Sequence, residues 1–241
     1  MRYAILSDIH GNLDALQAVL ADAAPRSDAL LCLGDVVGYG ADPEPCLEVI
    51  AERAVAFVGG NHEHGVAGLL DLDWFNPYAR AAAEWTRERL DDDHCRYLAA
   101  LPLEREMVDA TLVHASPIQP GEWDYLITAE DGFSAFRGFA TRLCFVGHSH
   151  RPAVWSLGSW GPQFQPGNVD VRIDAGRRYI VNVGSVGQPR DRDARAAYAI
   201  WDVEAGRIFG RRVAYDVAAA RGKIERGGLP KFLADRLAIG A

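Results

Sequence analysis

Five times within residues 1–150 a short apolar run stops at an oxygen or imidazole side chain. The stops are Asp8-Ile9-His10 after 2–7, Gly34-Asp35 after 29–33, Gly59-Gly60-Asn61-His62-Glu63 after 54–58, His114 after 106–113, and Gly147-His148-Ser149-His150 after 143–146. Short apolar runs bounded by Gly and Asp read as buried strands. Helical patterns lie between the first three. Asn12 is the cap expected for a helix over 13–23, with Leu13, Leu16, Val19 and Leu20 on one face. Asp42-Pro43-Glu44 opens a second helix with an acidic first turn, running to about Arg53. Strand–helix–strand–helix–strand order predicts a parallel sheet covered by helices. In such sheets, sites form beyond the carboxyl ends of the strands, where all five stops fall.

The rest of the chain predicts helices over 76–90, 91–101, 128–140 and 216–226. After His150 the character changes. Short runs at 153–155, 169–173, 179–183, 197–203 and 208–214, separated by Gly, Pro and Asp, predict strands of a second sheet. The stretch 157–178 is longer than a minimal connection and is expected to form a hairpin that shapes the site or an oligomer contact. No linker interrupts the chain and ligand groups come from both halves, so residues 1–241 are expected to fold as one domain.

Composition excludes several functions. A net charge of −8 disfavours nucleic acid as a partner, because phosphate-backbone binding needs a basic footprint. No signal-peptide pattern and no membrane-length apolar run occur, which predicts a cytoplasmic protein without a membrane partner. The four cysteines, Cys32, Cys46, Cys95 and Cys144, lack CxxC spacing and read as reduced and structural.

The five stops supply two carboxylates, one amide and four imidazoles as ligands, with one imidazole left free. Two carboxylates against two divalent ions leave a site about two charges positive, suited to phosphate and to acidifying a bound water. Mixed oxygen and nitrogen ligands without thiolate suit Mn, Fe, Zn, Ni or Co better than Ca or Mg. A lone Asp-x-His or Gly-His-x-His says little. Five of the seven histidines falling in these pieces, each after a strand, point to one site.

Asp8-x-His10, Gly34-Asp35, Gly60-Asn61-His62-Glu63, His114 and Gly147-His148-x-His150 resemble the calcineurin-like metallophosphoesterase superfamily. The stretches 33–40 and 182–191 resemble its small bacterial and archaeal phosphodiesterase branch. One departure is Ala115, where relatives often carry Gly. The resemblance implies a four-layer α/β/β/α sandwich of two mixed sheets flanked by helices. It implies a dimetal centre in which Asp8, His10, Asp35 and His150 hold one ion, and Asp35, Asn61, His114 and His148 the other. Asp35 bridges and shares the catalytic role with His62, the free imidazole, which contacts phosphate and protonates the leaving group. The implied reaction is hydrolysis of a small phosphate ester, diester or monoester, by attack of a metal-bound hydroxide.

Asn61, His62, Tyr39 and Arg190 are candidate substrate contacts, Arg190 for a distal phosphate. His64 is a candidate for the mouth of the site, and His94 for a solvated helix start. Trp74 and Trp123 fall in loops near the motifs and are candidates to stack a nucleobase. A nuclease, or a scaffold of the same fold that binds metal without catalysis, are the alternatives. The acidic charge argues against the first and the presence of His62 against the second. A homo-oligomer is the default expectation for any assembly.

Overall fold

The structure, a computed structural model, describes residues 1–241. The first sheet starts as expected: β1 (Arg2–Leu6), β2 (Ala29–Cys32) and β3 (Ala54–Phe57) are parallel, joined by α1 (Leu13–Ala23) and α2 (Pro43–Arg53). Asn12 caps α1, its side chain accepting from the Ala15 N–H at 3.1 Å. After β3 comes α3 (Asn61–Ala67), whose first residue is Asn61 itself. A 3₁₀ turn (Leu72–Trp74), α4 (Pro77–Arg87) and α5 (Asp92–Ala99) follow. The chain then enters β4 (Glu104–Met107) and β5 (Ala110–Val113), passes α6 (Ala129–Ala135) and returns as β6 (Leu143–Val146).

The run expected as one strand over 106–113 is thus two. Val108, at φ 56°, turns the chain back, and β4 pairs antiparallel with β5. The later strands correct a second expectation. They are β7 (Ala153–Gly158), β8 (Gln163–Pro166), β9 (Asp170–Arg172), β10 (Arg177–Asn182), β11 (Ala196–Asp202) and β12 (Arg207–Val213). They do not form a sheet of their own; they complete two six-stranded sheets, ordered β3-β2-β1-β11-β12-β9 and β4-β5-β6-β10-β7-β8. Each sheet has three neighbouring parallel strands, β3-β2-β1 and β5-β6-β10, and three antiparallel additions. The split follows from burial. A sheet ended at β1 or β10 would leave an apolar strand with an open edge, and β11 and β7 cover those edges.

Period-two alternation places the core. Along β1, Tyr3 and Ile5 point between the sheets with Leu31, Leu112, Phe145 and Val181. Ala4 and Leu6 point the other way, onto Leu16 and Val19 of α1 and Leu47 and Ile50 of α2. On the far face, Val113, Cys144 and Val146 pack against Ala135 and Phe136. The layers are therefore α/β/β/α. The expected last helix is α7 (Val217–Arg226); it packs with α8 (Lys231–Leu237), which sequence periodicity missed because it is only two turns long. Both lie with α4 and the ring of Tyr39 in a small apolar cluster. The cysteines are free thiols, three of them buried. No helix is long and apolar enough to cross a membrane.

Candidate metal centre

The parallel strands of both sheets end at one edge of the sandwich, where backbone bonds lace their loops together. Asp8 N–H donates to Gly34 O at 3.0 Å, His10 N–H to Asp35 O at 2.9 Å, Gly147 N–H to His114 O at 2.8 Å, and Gly187 N–H to Asp8 O at 2.9 Å. The fourth of these ties together the loops farthest apart in sequence, those after β1 and β10. Asp8, His10, Asp35, His148 and His150 all have positive φ, between 49° and 62°. A non-glycine residue there costs of order 1–3 kcal/mol, and such outliers persist only where the surroundings over-determine them. Here the laced loops do so. Two glycines are required by close approach: a Cβ at Gly60 would fall on Asp35 Oδ1, and one at Gly147 on Ser7 Oγ.

Seven side chains named from the sequence as metal ligands converge at this edge. His150 Nε2 is 3.2 Å from Asp8 Oδ1, with His10 Nε2 at 3.9 Å from the same oxygen. Asp35 Oδ2 stands between two groups, 3.7 Å from His10 Nε2 and 3.2 Å from His114 Nε2. His114 Nε2 is 3.2 Å from His148 Nδ1. Asn61 Oδ1 is buried with no hydrogen-bond partner and its residue lines the same cavity.

The imidazole pair His10 and His150 tests whether a cation fits. His10 Nδ1 lies 3.1 Å from Val37 O, and His150 Nδ1 contacts Gln188 O. A carbonyl only accepts, so each Nδ1 carries the proton and each Nε2 presents a bare lone pair. Those two nitrogens are 3.2 Å apart and face Asp8 Oδ1, itself buried without a hydrogen-bond partner. Lone pairs and a carboxylate converging in a buried site repel unless a cation lies among them. His114 is oriented in the same manner, its Nδ1 2.8 Å from Leu33 O. The residues present therefore fit divalent ions.

Burial and neighbouring carboxylates act on these imidazoles in opposite directions. Burial pushes the His148 imidazole down to about 3 and His10 well below its ordinary range, with neighbouring imidazoles adding to both. These rings are neutral, the form that ligates. His114 is the exception: although burial opposes it, the carboxylates of Asp35 and Asp8 raise it to about 9. Against the cost of burial, His114 and His62 hold Asp35 well below the usual carboxylate range.

His62 sits at the second position of α3, donating its backbone N–H to Asp35 Oδ1 at 3.0 Å. Its ring packs on Tyr39, His10 and Phe75, with centroids 4.5, 4.8 and 5.0 Å away, and Nδ1 has no hydrogen-bond partner. Burial lowers it to about 4. Tyr39 and Arg190 also reach the cavity, about 100 Å³ in volume, that Asp35, Asn61, His62, His148 and His150 line. Arg190 Nη2 donates to Gln188 Oε1 at 3.1 Å and has no carboxylate partner.

Other candidates fall elsewhere. His64 is half-buried against Trp123, with ring centroids 5.1 Å apart, outside the cavity walls. His94 meets Asp91 at the start of α5, 2.8 Å from its carboxylate. The stretch 157–178 forms the β7–β8 hairpin and β9, and contributes nothing to the cavity walls, so it does not shape the site.

Glu63, though part of the third motif, had no role assigned from sequence, and Tyr125 was not singled out at all. Glu63 is wholly buried and accepts from four backbone N–H groups: Asp35 at 2.6 Å, Val36 at 2.7 Å, Val37 at 3.2 Å and Gly60 at 2.8 Å. Burial and the Asp35 charge raise its carboxyl to about 7, against the pull of those donors. It buckles the Asp35 loop to the start of α3. It supplies the Glu half of a helix capping box, returning to the Gly60 N–H from three residues on, while Gly60 has no side chain to supply the other half. Tyr125 stacks flat on His148, centroids 4.0 Å apart at 21°. It follows no strand, so no pattern marked it.

Comparison with known proteins gives a consistent result. Residues 1–206 match the model of the calcineurin-like phosphoesterase superfamily domain. An uncharacterized protein of Methanocaldococcus jannaschii is 39% identical, the alignment covering 98% of this chain and 97% of that one. The crystal structure of a metallophosphoesterase from Sphaerobacter thermophilus superposes with a TM-score of 0.87 at 42% identity, covering 100% of this chain and 99% of that one. A hypothetical protein from Pyrococcus horikoshii shares the fold, with a TM-score of 0.81 at 22% identity, covering 100% and 98%.

Proposed function

The chain belongs to the calcineurin-like phosphoesterase superfamily, and on that premise we propose that it hydrolyses a small phosphate ester, diester or monoester, with two divalent metal ions. Asp8, His10, Asp35 and His150 would hold one ion, and Asp35, Asn61, His114 and His148 the other, with Asp35 shared. The observation that carries this reading is the pair of bare Nε2 lone pairs on His10 and His150, 3.2 Å apart and aimed at an unpartnered carboxylate oxygen. When bound, such ions supply positive charge for the phosphoryl oxygens and acidify the attacking water.

The chain's own groups do the rest. Arg190, with no carboxylate to neutralise it, draws the phosphate towards the cavity and contacts its oxygens, and the Tyr39 hydroxyl, 3.5 Å from Arg190 Nη2, steadies that side chain. Asn61 and His62 face the reacting phosphate from the start of α3. As water attacks phosphorus it gives up a proton to solvent and the P–O ester bond breaks. His62, bare at Nδ1, takes up a proton beside the bound phosphate's negative charge and passes it to the departing oxygen. Tyr39 and Phe75 pack the His62 ring in place, so it approaches from one direction.

The test is a screen of chelator-stripped protein reloaded with Mn, Ni, Co, Zn or Fe. Turnover of p-nitrophenyl phosphate or bis-p-nitrophenyl phosphate is expected with at least one metal and not with the stripped protein. Inactivity with all five would sink the reading.

A further inference from the structure

A second cavity of about 390 Å³ adjoins the one at the ligand cluster, within the ~300–1,000 Å³ typical of small-molecule sites. The two share Asn61, Trp74, Phe75, Tyr125 and His148, so the second space borders directly on the cluster. The walls of that space are aromatic. Trp74 ends the 3₁₀ turn after α3 with 84% of its surface exposed, an indole left in water at the mouth of a site. Tyr125 has one face flat on His148 and is half exposed, which leaves its other side open. Trp123 closes the cavity from a backbone with φ 59°, its ring turned edge-on towards His64 and His114.

Charge separates this arm from the other. Glu122 is the sole carboxylate among the walls and no lysine or arginine joins it, so the space offers nothing to a second phosphate. The free arginine, Arg190, lines only the first cavity. An occupant that continues from the phosphate into this space is therefore uncharged, planar and large enough to meet several rings. A nucleoside has that chemistry, since any nucleobase presents a π-face to an aromatic wall.

We infer that the aromatic cavity is a nucleoside subsite, in which Trp74 and Tyr125 stack the base while its phosphate lies on the metal-ligand cluster. This deepens the phosphoesterase reading and rests on it.

The experiment measures the affinity of the Mn-loaded full chain for adenosine 5′-monophosphate and for ribose 5-phosphate, which keeps sugar and phosphate but lacks the base. The wild type should bind the first about 10-fold more tightly. Trp74→Ala should bring that ratio close to one, and Trp74→Phe should keep most of it. Because Trp74 is exposed, both variants should melt with the wild type, which separates lost stacking from lost fold. Equal affinities in the wild type, or a ratio that survives Trp74→Ala, would overturn the subsite. If bis-p-nitrophenyl phosphate is cleaved but the base adds no affinity, the subsite falls and the phosphoesterase reading stands. If neither phosphate binds and no ester is cleaved with any metal, both fall.

Discussion

Asp35 and Trp74 line one cavity and are held in opposite ways. Asp35 is 1% exposed, has φ 54°, and presents one oxygen to the His62 N–H and the other to His114. Its own N–H is clasped by Glu63. Trp74 is 84% exposed, and its backbone N–H returns only to Asp71, three residues earlier. Rigidity is concentrated at the buried cluster. Ligands that must meet within a few ångströms are fixed by backbone bonds between loops from both sheets, tightly enough to sustain five left-handed backbones. Trp74 is free only in its side chain: the turn beneath it is anchored by buried Leu72 and by Phe75 against His62, while the indole projects into water.

The largest effect is expected at Asp35. Asp35→Ala removes the carboxylate shared by both groups of imidazoles. Metal content is expected to fall for both ions, and turnover by at least ~10³-fold. Retention of both ions in elemental analysis would show that the cluster is less interdependent than the geometry implies.

A smaller effect is expected one position outside the ligand set. His62→Ala should keep both metals and lose roughly 10²-fold or more in kcat. A fully metallated variant with wild-type kcat would remove His62 from the reaction.

Glu63→Gln touches neither metal nor substrate and asks whether the buckle matters. Its amide end would face N–H donors where the carboxylate accepts, leaving at least one of them unpaired at a cost of about 1–3 kcal/mol. Metal affinity is expected to weaken by roughly 10–100-fold, the usual cost of disturbing an outer partner. A titration with unchanged affinity and a lowered melting temperature would make Glu63 a purely structural residue.

Trp74→Ala lies at the small end, with stability expected within ~0.5 kcal/mol of wild type, as for other surface positions. A large loss on thermal melting would mean that the rim is tied into the fold more firmly than its exposure indicates.

The convergence of the cluster's side chains was legible in sequence because each lies just past a strand, and a strand fixes where the loop after it begins. Asp8, Asp35, His114 and His148 needed no partner to be recognised. The capping side chain of Asn12 and the proline at the start of α2 were legible for the same local reason. Tyr125, the turn at Val108 and helix α8 were not. Tyr125 lies in a loop placed by its stacking on His148, which is distant in sequence. The turn at Val108 looked like the middle of a strand, since its flanking residues have strand composition and only pairing with β5 reveals the reversal.

Local periodicity and order along the chain were enough to determine that this protein is a helix-covered sheet protein with carboxylates and imidazoles gathered at its strand ends. Alternation and capping act over a few residues and leave their mark in composition. Only the tertiary structure decided which late strands join which sheet, that His10 and His150 turn bare nitrogens towards each other, and that an aromatic cavity adjoins the cluster. Those outcomes depend on edges to be covered and on carbonyls such as Val37 O and Gln188 O. Such partners are brought into place by packing between segments far apart in sequence, which no local pattern records.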